Sequence, residues 1–138
     1  MLVHETTLRV RYGETDRMGY VYYGNHALYF EVGRGELLRH IGYPYNIMEA
    51  EGVICPVTAI DVRYVRPALY EDLLVLKTTI RQLPTQYVVF ETEIYNEKNK
   101  LISAGKVTLA FADAHTRKKC DPPARLLAAL APYFEAET

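Results

Sequence analysis

Apolar and polar residues alternate along several stretches of the chain, a pattern typical of β-strands with one buried face. The first stretch covers residues 6–12, and a longer extended segment covers residues 53–66 and ends at a proline. Three more stretches are separated by short turns, at residues 73–83, 86–96 and 100–112. Because short turns join neighbouring antiparallel strands, these three are predicted to form an antiparallel meander.

A different spacing runs from residue 25 to residue 41, where apolar side chains recur with the period of a helix. Gly42 follows and is predicted to end this helix, since glycine readily adopts the left-handed backbone of a C-terminal cap. Gly33 and Gly35 each weaken a helix by roughly 1 kcal/mol relative to alanine. Close packing of a sheet against the helix would offset that loss.

Two shorter helical segments are predicted at residues 46–51 and after Pro123. One long helix against one antiparallel sheet is an α+β architecture, because this two-layer packing buries both apolar faces. At 138 residues, the chain is predicted to form a single domain, residues 1–138. The outer strands would be exposed edges in a monomer, so a homodimer or a homotetramer is predicted.

The formal net charge is −1, and no basic run exceeds Arg117-Lys118-Lys119. Nucleic-acid binding is therefore not expected, because it needs a broad positive surface. No apolar run approaches the ~18–20 residues that span a bilayer, and the N-terminus lacks the pattern of a secretion signal. These features predict a cytoplasmic protein without a membrane span.

Cys55 and Cys120 show no C-x-x-C spacing and are interpreted as thiols without an assigned role. The histidines also lack ligand-like spacing, so neither a metal nor a cofactor is predicted. The chain has 12 tyrosines and no tryptophan. Because tyrosine combines an apolar ring with a polar tip, these rings can equally pack around the helix or line a pocket or subunit contact.

Residues 12–26 form an acidic, glycine-punctuated loop that runs directly into the long helix. This places the carboxylate of Asp16 near the unpaired N–H groups of a helix start. An ionised aspartate can act as a nucleophile or a general base, and helix-start amides can hold a developing oxyanion. The pattern favours a hydrolase acting on an activated acyl group such as a thioester. Asp16 can also be a turn or capping residue, which is a common use of aspartate before a helix.

An Asp-x-x-Gly-x-Val-x-Tyr-x-Asn run lies within this loop, at Asp16, Gly19, Val21, Tyr23 and Asn25. It resembles the 4-hydroxybenzoyl-CoA thioesterase family of hotdog-fold acyl-CoA thioesterases. The resemblance continues through residues 30–34 and 63–68.

Family membership would imply a five-stranded antiparallel sheet wrapped around the long helix, with active sites at a dimer interface. It would also imply that the substrate is an acyl-CoA, hydrolysed to a free acid and coenzyme A. Asp16 would then be the catalytic carboxylate, and the backbone N–H of Tyr23 would polarise the thioester carbonyl.

Other residues of the run are predicted to bind substrate. Gly19 and Gly24 would let the loop make left-handed or close-approach turns around a thioester, although ordinary turn glycines fit equally well. Val21 is assigned to the pocket, and Asn25 is expected to cap the helix or brace the loop.

Arg63 and Arg66, or Lys118-Lys119, are expected either to hold coenzyme A phosphates at the pocket mouth or to be solvated surface charges. Glu31 and Arg34 are most simply a helical ion pair or a dimer contact. A catalytic Glu31 is a minority interpretation.

His26 is a second candidate for the general base, because imidazole titrates near neutrality. Its place in the first helical turn disfavours the imidazolium form. A hotdog dehydratase would need a histidine paired with an acid, and His26 is the histidine near the loop. The pattern is also compatible with an acyl-carrier-protein thioesterase and with a non-catalytic acyl-CoA-binding protein.

Overall fold

A long helix, α1 (Asn25–His40), packs against a five-stranded antiparallel sheet in this computed structural model, which describes residues 1–135. The strands are β1 (Leu2–Arg9), β2 (Val53–Ile54), β3 (Val57–Tyr64), β4 (Leu73–Ile80), β5 (Tyr87–Tyr95), β6 (Leu101–Ala110) and β7 (Ala112–Asp113). The shorter helices are α2 (Tyr45–Ala50) and α3 (Ala124–Leu130), and 3₁₀ turns occupy Tyr12–Glu14 and Ala131–Tyr133. The main sheet has the order β1-β4-β5-β6-β3, and β2 pairs separately with β7. The predicted α+β class and five-stranded sheet are confirmed.

Tyr29, Phe30, Leu37 and Leu38 recur at helical spacing on the buried face of the long helix, whereas Leu28 and Val32 lie on its exposed face. The helix ends as predicted, with Gly42 in the left-handed region at φ +81°. A Cβ on Gly33 would lie 2.5 Å from the Thr78 hydroxyl oxygen, so the close helix–sheet approach predicted there is present. At Gly35 a Cβ would meet no atom within 4 Å, so packing does not explain that glycine.

The sheet shows the alternation that the sequence predicts. Along β5 every second residue is buried, with Phe90 and Ile94 facing α1. On β6, Gly105 lies directly against the Phe30 ring, where a Cβ would come within 2.2 Å. Sheet and helix therefore share one apolar core, and the opposite face of the sheet carries charged side chains.

Two predicted strands differ from the structure. The segment 53–66 is not one strand, because it breaks at Cys55-Pro56: β2 pairs with β7, and β3 joins the main sheet after a register shift. The first strand is β1, not residues 6–12. It stops earlier because the backbone of Val10 bonds to Glu71 and Asp72 of the 69–72 turn. Within the described chain, no helix is long and apolar enough to cross a bilayer.

Edge strand β3 is the most exposed strand of the main sheet. Nearly all of its residues are exposed, including the apolar side chains of Val57 and Ile60 at 50% and 48%. Its free edge continues into residues 64–67, which bring the end of the strand beside the start of α1.

Candidate active site

A cavity of about 290 Å³ opens at the N-terminal end of α1. Its walls come from the loop 16–23, the first turn of α1, and residues 64–67 at the end of β3. Asp16, Val21, Tyr23 and Arg66, all predicted site residues, line this one cavity.

Asp16 forms a tight turn with one of its carboxylate oxygens. Its Oδ1 accepts hydrogen bonds from the N–H groups of Met18 (2.9 Å) and Tyr20 (3.3 Å). Gly19 adopts φ +80°, so the predicted left-handed turn is present there. The second oxygen, Oδ2, receives no hydrogen bond from any residue in 1–135. Asp16 is therefore a turn residue in the cavity wall, and one of its carboxylate oxygens is not used by the turn.

Glu14 connects the loop to the helix, a role that the sequence reasoning missed. Its backbone oxygen accepts hydrogen bonds from the Tyr22 N–H (2.9 Å) and the Asn25 side-chain amide (2.9 Å). Its carboxylate Oε1 accepts from the Tyr29 hydroxyl (2.9 Å) and the Arg11 N–H (2.8 Å). Glu14 thus fixes the loop that carries Asp16 relative to the start of α1. The available signal was a second carboxylate two positions before Asp16.

The pKa of Glu14 reflects two opposing effects. Partial burial of the carboxyl raises its pKa, but hydrogen bonds from Arg11 and Tyr29 favour the ionised form. The hydrogen bonds prevail, so the pKa lies below its ordinary value. Burial and the Glu14 carboxylate together raise the pKa of the Tyr29 hydroxyl. At neutral pH the pair is therefore an ionised acceptor and a neutral donor.

The start of α1 leaves backbone donors free. The Tyr22 carbonyl accepts from the Asn25 N–H at 2.8 Å, and the Tyr23 carbonyl accepts from the His26 N–H at 3.3 Å. The N–H groups of Tyr23 and Gly24 have no protein acceptor in the described part of the chain. No side chain caps this helix end. Partial positive charge therefore collects at the edge of the cavity.

For Asn25 and Gly24, one of the two predicted roles is not found. Asn25 braces the loop through its bond to Glu14 and does not cap the helix. Gly24 has φ −65°, so it does not make a left-handed turn. A Cβ there would come within 3.0 Å of the Tyr22 ring, which is tight but not forbidding.

His26 lies in the cavity wall and is only 4% exposed. Its Nδ1 lies 2.8 Å from the Ser103 hydroxyl, and the Tyr64 ring packs edge-on against it at 4.9 Å. Burial lowers the pKa of His26, so the neutral imidazole is favoured near pH 7. The Tyr64 hydroxyl donates to the Tyr23 carbonyl at 3.0 Å. Ser103 and Tyr64 were missed because they lie far along the chain from the loop.

The two predicted arginines occupy different places. Arg66 lines the cavity and donates to the Leu101 carbonyl at 3.0 Å. Arg63 lies on the charged outer face of the sheet, beside Asp61 and Lys106, and does not reach the cavity. Successive residues of a strand point to opposite faces, which separates Arg63 from the site.

The predicted ion pair within α1 and a cavity position for Lys119 are not found among residues 1–135, whereas both cysteines are free thiols as interpreted. Glu31 and Arg34 form no ion pair among residues 1–135; Glu31 is exposed and Arg34 is buried. Lys119 bonds to the Tyr87 hydroxyl and does not line the cavity. Cys55 and Cys120 are free thiols, and burial raises the pKa of Cys55 to about 12.

Residues 10–130 match the family model of the thioesterase-like superfamily. YneP of Bacillus subtilis is 38% identical over 115 residues, 83% of this chain and 79% of that protein. The acyl-CoA thioester hydrolase YbgC of Escherichia coli O157:H7 is 32% identical over 106 residues, 77% of this chain and 79% of that protein.

Among solved structures, the DHNA-CoA thioesterase of Staphylococcus aureus is 31% identical, with a TM-score of 0.89 over 99% of this chain and 95% of that one. A variant of 4-hydroxybenzoyl-CoA thioesterase bound to 4-hydroxybenzoyl-CoA shares only the fold, at 17% identity, with a TM-score of 0.82 over 92% of this chain and 97% of that one. The architecture is the hotdog fold. The chain belongs to the thioesterase-like superfamily, which confirms the family resemblance seen in the sequence.

Proposed function

We propose that this protein hydrolyses an acyl-CoA thioester to a free carboxylic acid and coenzyme A. One observation carries the proposal: Asp16, with one carboxylate oxygen free of hydrogen bonds, and Tyr23, with an unpaired N–H at the start of α1, line one cavity. The named activities of YbgC and of the Staphylococcus aureus enzyme, both thioesterases acting on coenzyme A esters, support this substrate class.

In the proposed reaction the thioester carbonyl oxygen accepts a hydrogen bond from the Tyr23 N–H. This donor stabilises the negative charge that develops on that oxygen, and one such donor is worth roughly 10²–10³ in rate. Because the donor is a backbone group, the Tyr23 side chain is not required.

Asp16 can act by either of two routes. Its Oδ2 can attack the carbonyl carbon, expel the coenzyme A thiolate and form a mixed anhydride that water then hydrolyses. In the second route, it takes a proton from a water that attacks the same carbon, and passes that proton to the departing thiolate. The family resemblance slightly favours the first route.

Three competing functions were considered. Two of them fit the residues of the cavity less well, and the third uses the same hydrolysis reaction. A dehydratase histidine would pair with an acid, whereas His26 pairs with the Ser103 hydroxyl. A non-catalytic acyl-CoA-binding protein would not need an unengaged carboxylate. An acyl-carrier-protein thioesterase uses the same chemistry, and comparing the two thioester carriers as substrates separates it from an acyl-CoA thioesterase.

The test is thiol release from a panel of acyl-CoAs by wild type, Asp16→Asn and Tyr23→Phe. Asp16→Asn should lower kcat by about 10²-fold or more, the usual contribution of a catalytic acid–base group. Tyr23→Phe should stay within a few-fold of wild type. Asp121→Asn, an exposed aspartate outside the cavity, is the matched control. Equal kcat for Asp16→Asn and wild type would refute the assignment.

The proposal includes a homodimer or a homotetramer. Edge strand β3 exposes apolar side chains and an unpaired edge, and pairing with a second copy would cover both. The cavity opens beside the end of that strand, so a second copy could complete its wall. Light scattering should give a mass of two or four subunits. The mass of one subunit would contradict the proposed homodimer or homotetramer. The predicted cytoplasmic location is also part of the proposal.

A further inference from the structure

His26 is a buried side chain of the cavity wall that has no part in the reaction proposed above. It lies in the first turn of α1 and borders the same cavity as Asp16 and Tyr23. Burial lowers its pKa, so the ring is neutral near pH 7. A neutral imidazole carries one N–H, and the nitrogen that carries it decides whether the ring donates or accepts a hydrogen bond at the cavity.

Ser103 determines which nitrogen is protonated. Its side chain is fully buried, and the hydrogen bond of its hydroxyl within residues 1–135 is with His26 Nδ1, at 2.8 Å. If Nδ1 carried the proton, the Ser103 O–H would have no acceptor in that part of the chain. A buried hydroxyl without an acceptor costs about 1–3 kcal/mol. The favoured arrangement therefore has the Ser103 hydroxyl donating to Nδ1, which leaves the imidazole proton on Nε2.

The Nε2 atom of His26 is available to a ligand. It has no hydrogen-bond partner among the described residues. The fully buried side-chain nitrogen and oxygen atoms without a partner there lie on His4, Arg34 and Tyr45, so Nε2 is not enclosed. Because the His26 ring borders the cavity, a ligand in the cavity is the acceptor that Nε2–H can reach.

Tyr64 holds the His26 ring and the start of α1 in one arrangement. Its ring packs edge-on against the imidazole at 4.9 Å, and its hydroxyl donates to the Tyr23 carbonyl at 3.0 Å. The same carbonyl accepts from the backbone N–H of His26 at 3.3 Å. The imidazole and the Tyr23 backbone are therefore fixed relative to each other without a ligand. Donors that are fixed in advance are the kind that stabilise a developing charge well.

We propose that the Nε2–H of His26 is a second hydrogen-bond donor to the thioester carbonyl oxygen, beside the Tyr23 N–H, and that Ser103 sets its tautomer. A neutral imidazole at a helix start can polarise a carbonyl in this way. It keeps its proton, because loss of that proton would leave an imidazolate anion. His26 is therefore not the general base that its residue type suggests. The inference rests on the proposed function, because it needs a bound thioester.

Two substitutions of His26 separate a hydrogen-bond donor from a general base. His26→Gln keeps an N–H donor, whereas His26→Phe keeps a flat ring without one. His26→Phe should lower kcat for acyl-CoA hydrolysis by about 10²-fold, the effect of losing one oxyanion donor, with KM within a few-fold of wild type. His26→Gln should recover about tenfold of that loss. A general base would be lost in both variants, so equally low kcat values in the two folded variants would overturn the proposal.

The tautomer can be measured in wild type without substrate. Nitrogen NMR of isotope-labelled histidine distinguishes Nε2–H from Nδ1–H, and the signals of His26 are those absent from His26→Gln. We expect Nε2–H in wild type and a mixture of both tautomers in Ser103→Ala, with kcat lowered several-fold in that variant. An Nδ1–H tautomer in wild type would overturn the proposal, and this measurement does not depend on the folding of any variant at His26.

His115→Phe changes an exposed histidine outside the cavity and is the matched control, so kcat and KM should stay at their wild-type values. If wild type hydrolyses acyl-CoA and His26→Phe is equally active, the role of His26 is wrong while the proposed hydrolysis stands. If wild type hydrolyses no acyl-CoA of the panel, the proposed function and this inference are both wrong.

Discussion

The hydrogen bond between Tyr29 and Glu14 is expected to hold the Asp16 loop on α1, and its removal can be measured. The Tyr29 ring is 3% exposed, and its hydroxyl donates to the Glu14 carboxylate at 2.9 Å. Hydrogen bonds to charged groups contribute about 1.5–3 kcal/mol to stability. Tyr29→Phe removes the donor and little else, so it should lower the free energy of unfolding by that amount at pH 7.

The effect should depend on pH in a defined direction. The pKa of Glu14 is lowered in the folded protein, so the folded state favours the ionised carboxylate. Its stabilising contribution is complete above the ordinary glutamate pKa and is lost as the pH falls through the folded pKa. The difference between wild type and Tyr29→Phe should therefore be constant near neutrality and become smaller at acid pH.

Urea unfolding at several pH values measures these differences. Protein concentration must be constant, because association of copies would add to the apparent stability. A double-mutant cycle with Glu14→Gln isolates the pair, and the double variant should lose less than the sum of the two single variants. Tyr133→Phe, at an exposed tyrosine, is the matched control. Equal stability of wild type and Tyr29→Phe at pH 7, or strictly additive losses, would refute the reasoning.

Two further predictions concern glycines with opposite surroundings, and urea unfolding tests both. Gly105→Ala would place a Cβ 2.2 Å from the buried Phe30 ring, so stability should fall by about 1–3 kcal/mol. Adding Phe30→Leu should recover part of the loss, and no recovery would contradict the steric explanation. Gly35→Ala meets no atom within 4 Å inside α1, so it should raise stability by about 0.5–1 kcal/mol. A loss there would show that a contact from a second copy occupies that space.

The elements that were predicted well depend on local signals. The start and end of α1 were close to correct because helix periodicity needs only neighbouring residues and Gly42 directly follows the last turn. The alternation along β5 was correct for the same reason. The break at Cys55-Pro56 was not anticipated, because it depends on β2 pairing with β7, almost sixty residues further along the chain.

The candidate site also has a part that local sequence predicted correctly and a part that it did not. Asp16 and Tyr23 could be proposed together because one short loop carries both residues. Arg63 was placed near the site because strand register cannot be read from charge alone, and the sheet turns its side chain to the outer face.

Local sequence was enough to specify the helix, the alternating strands and the loop that brings a carboxylate to a helix start, since each depends on residues close together in the chain. Which distant side chains join that loop depended on the folded arrangement. Ser103 meets His26 across 77 positions, and Tyr64 meets the Tyr23 carbonyl across 41. Such contacts are set by how β3 and β6 pack around α1, because the register of a strand selects the side chains that face the helix.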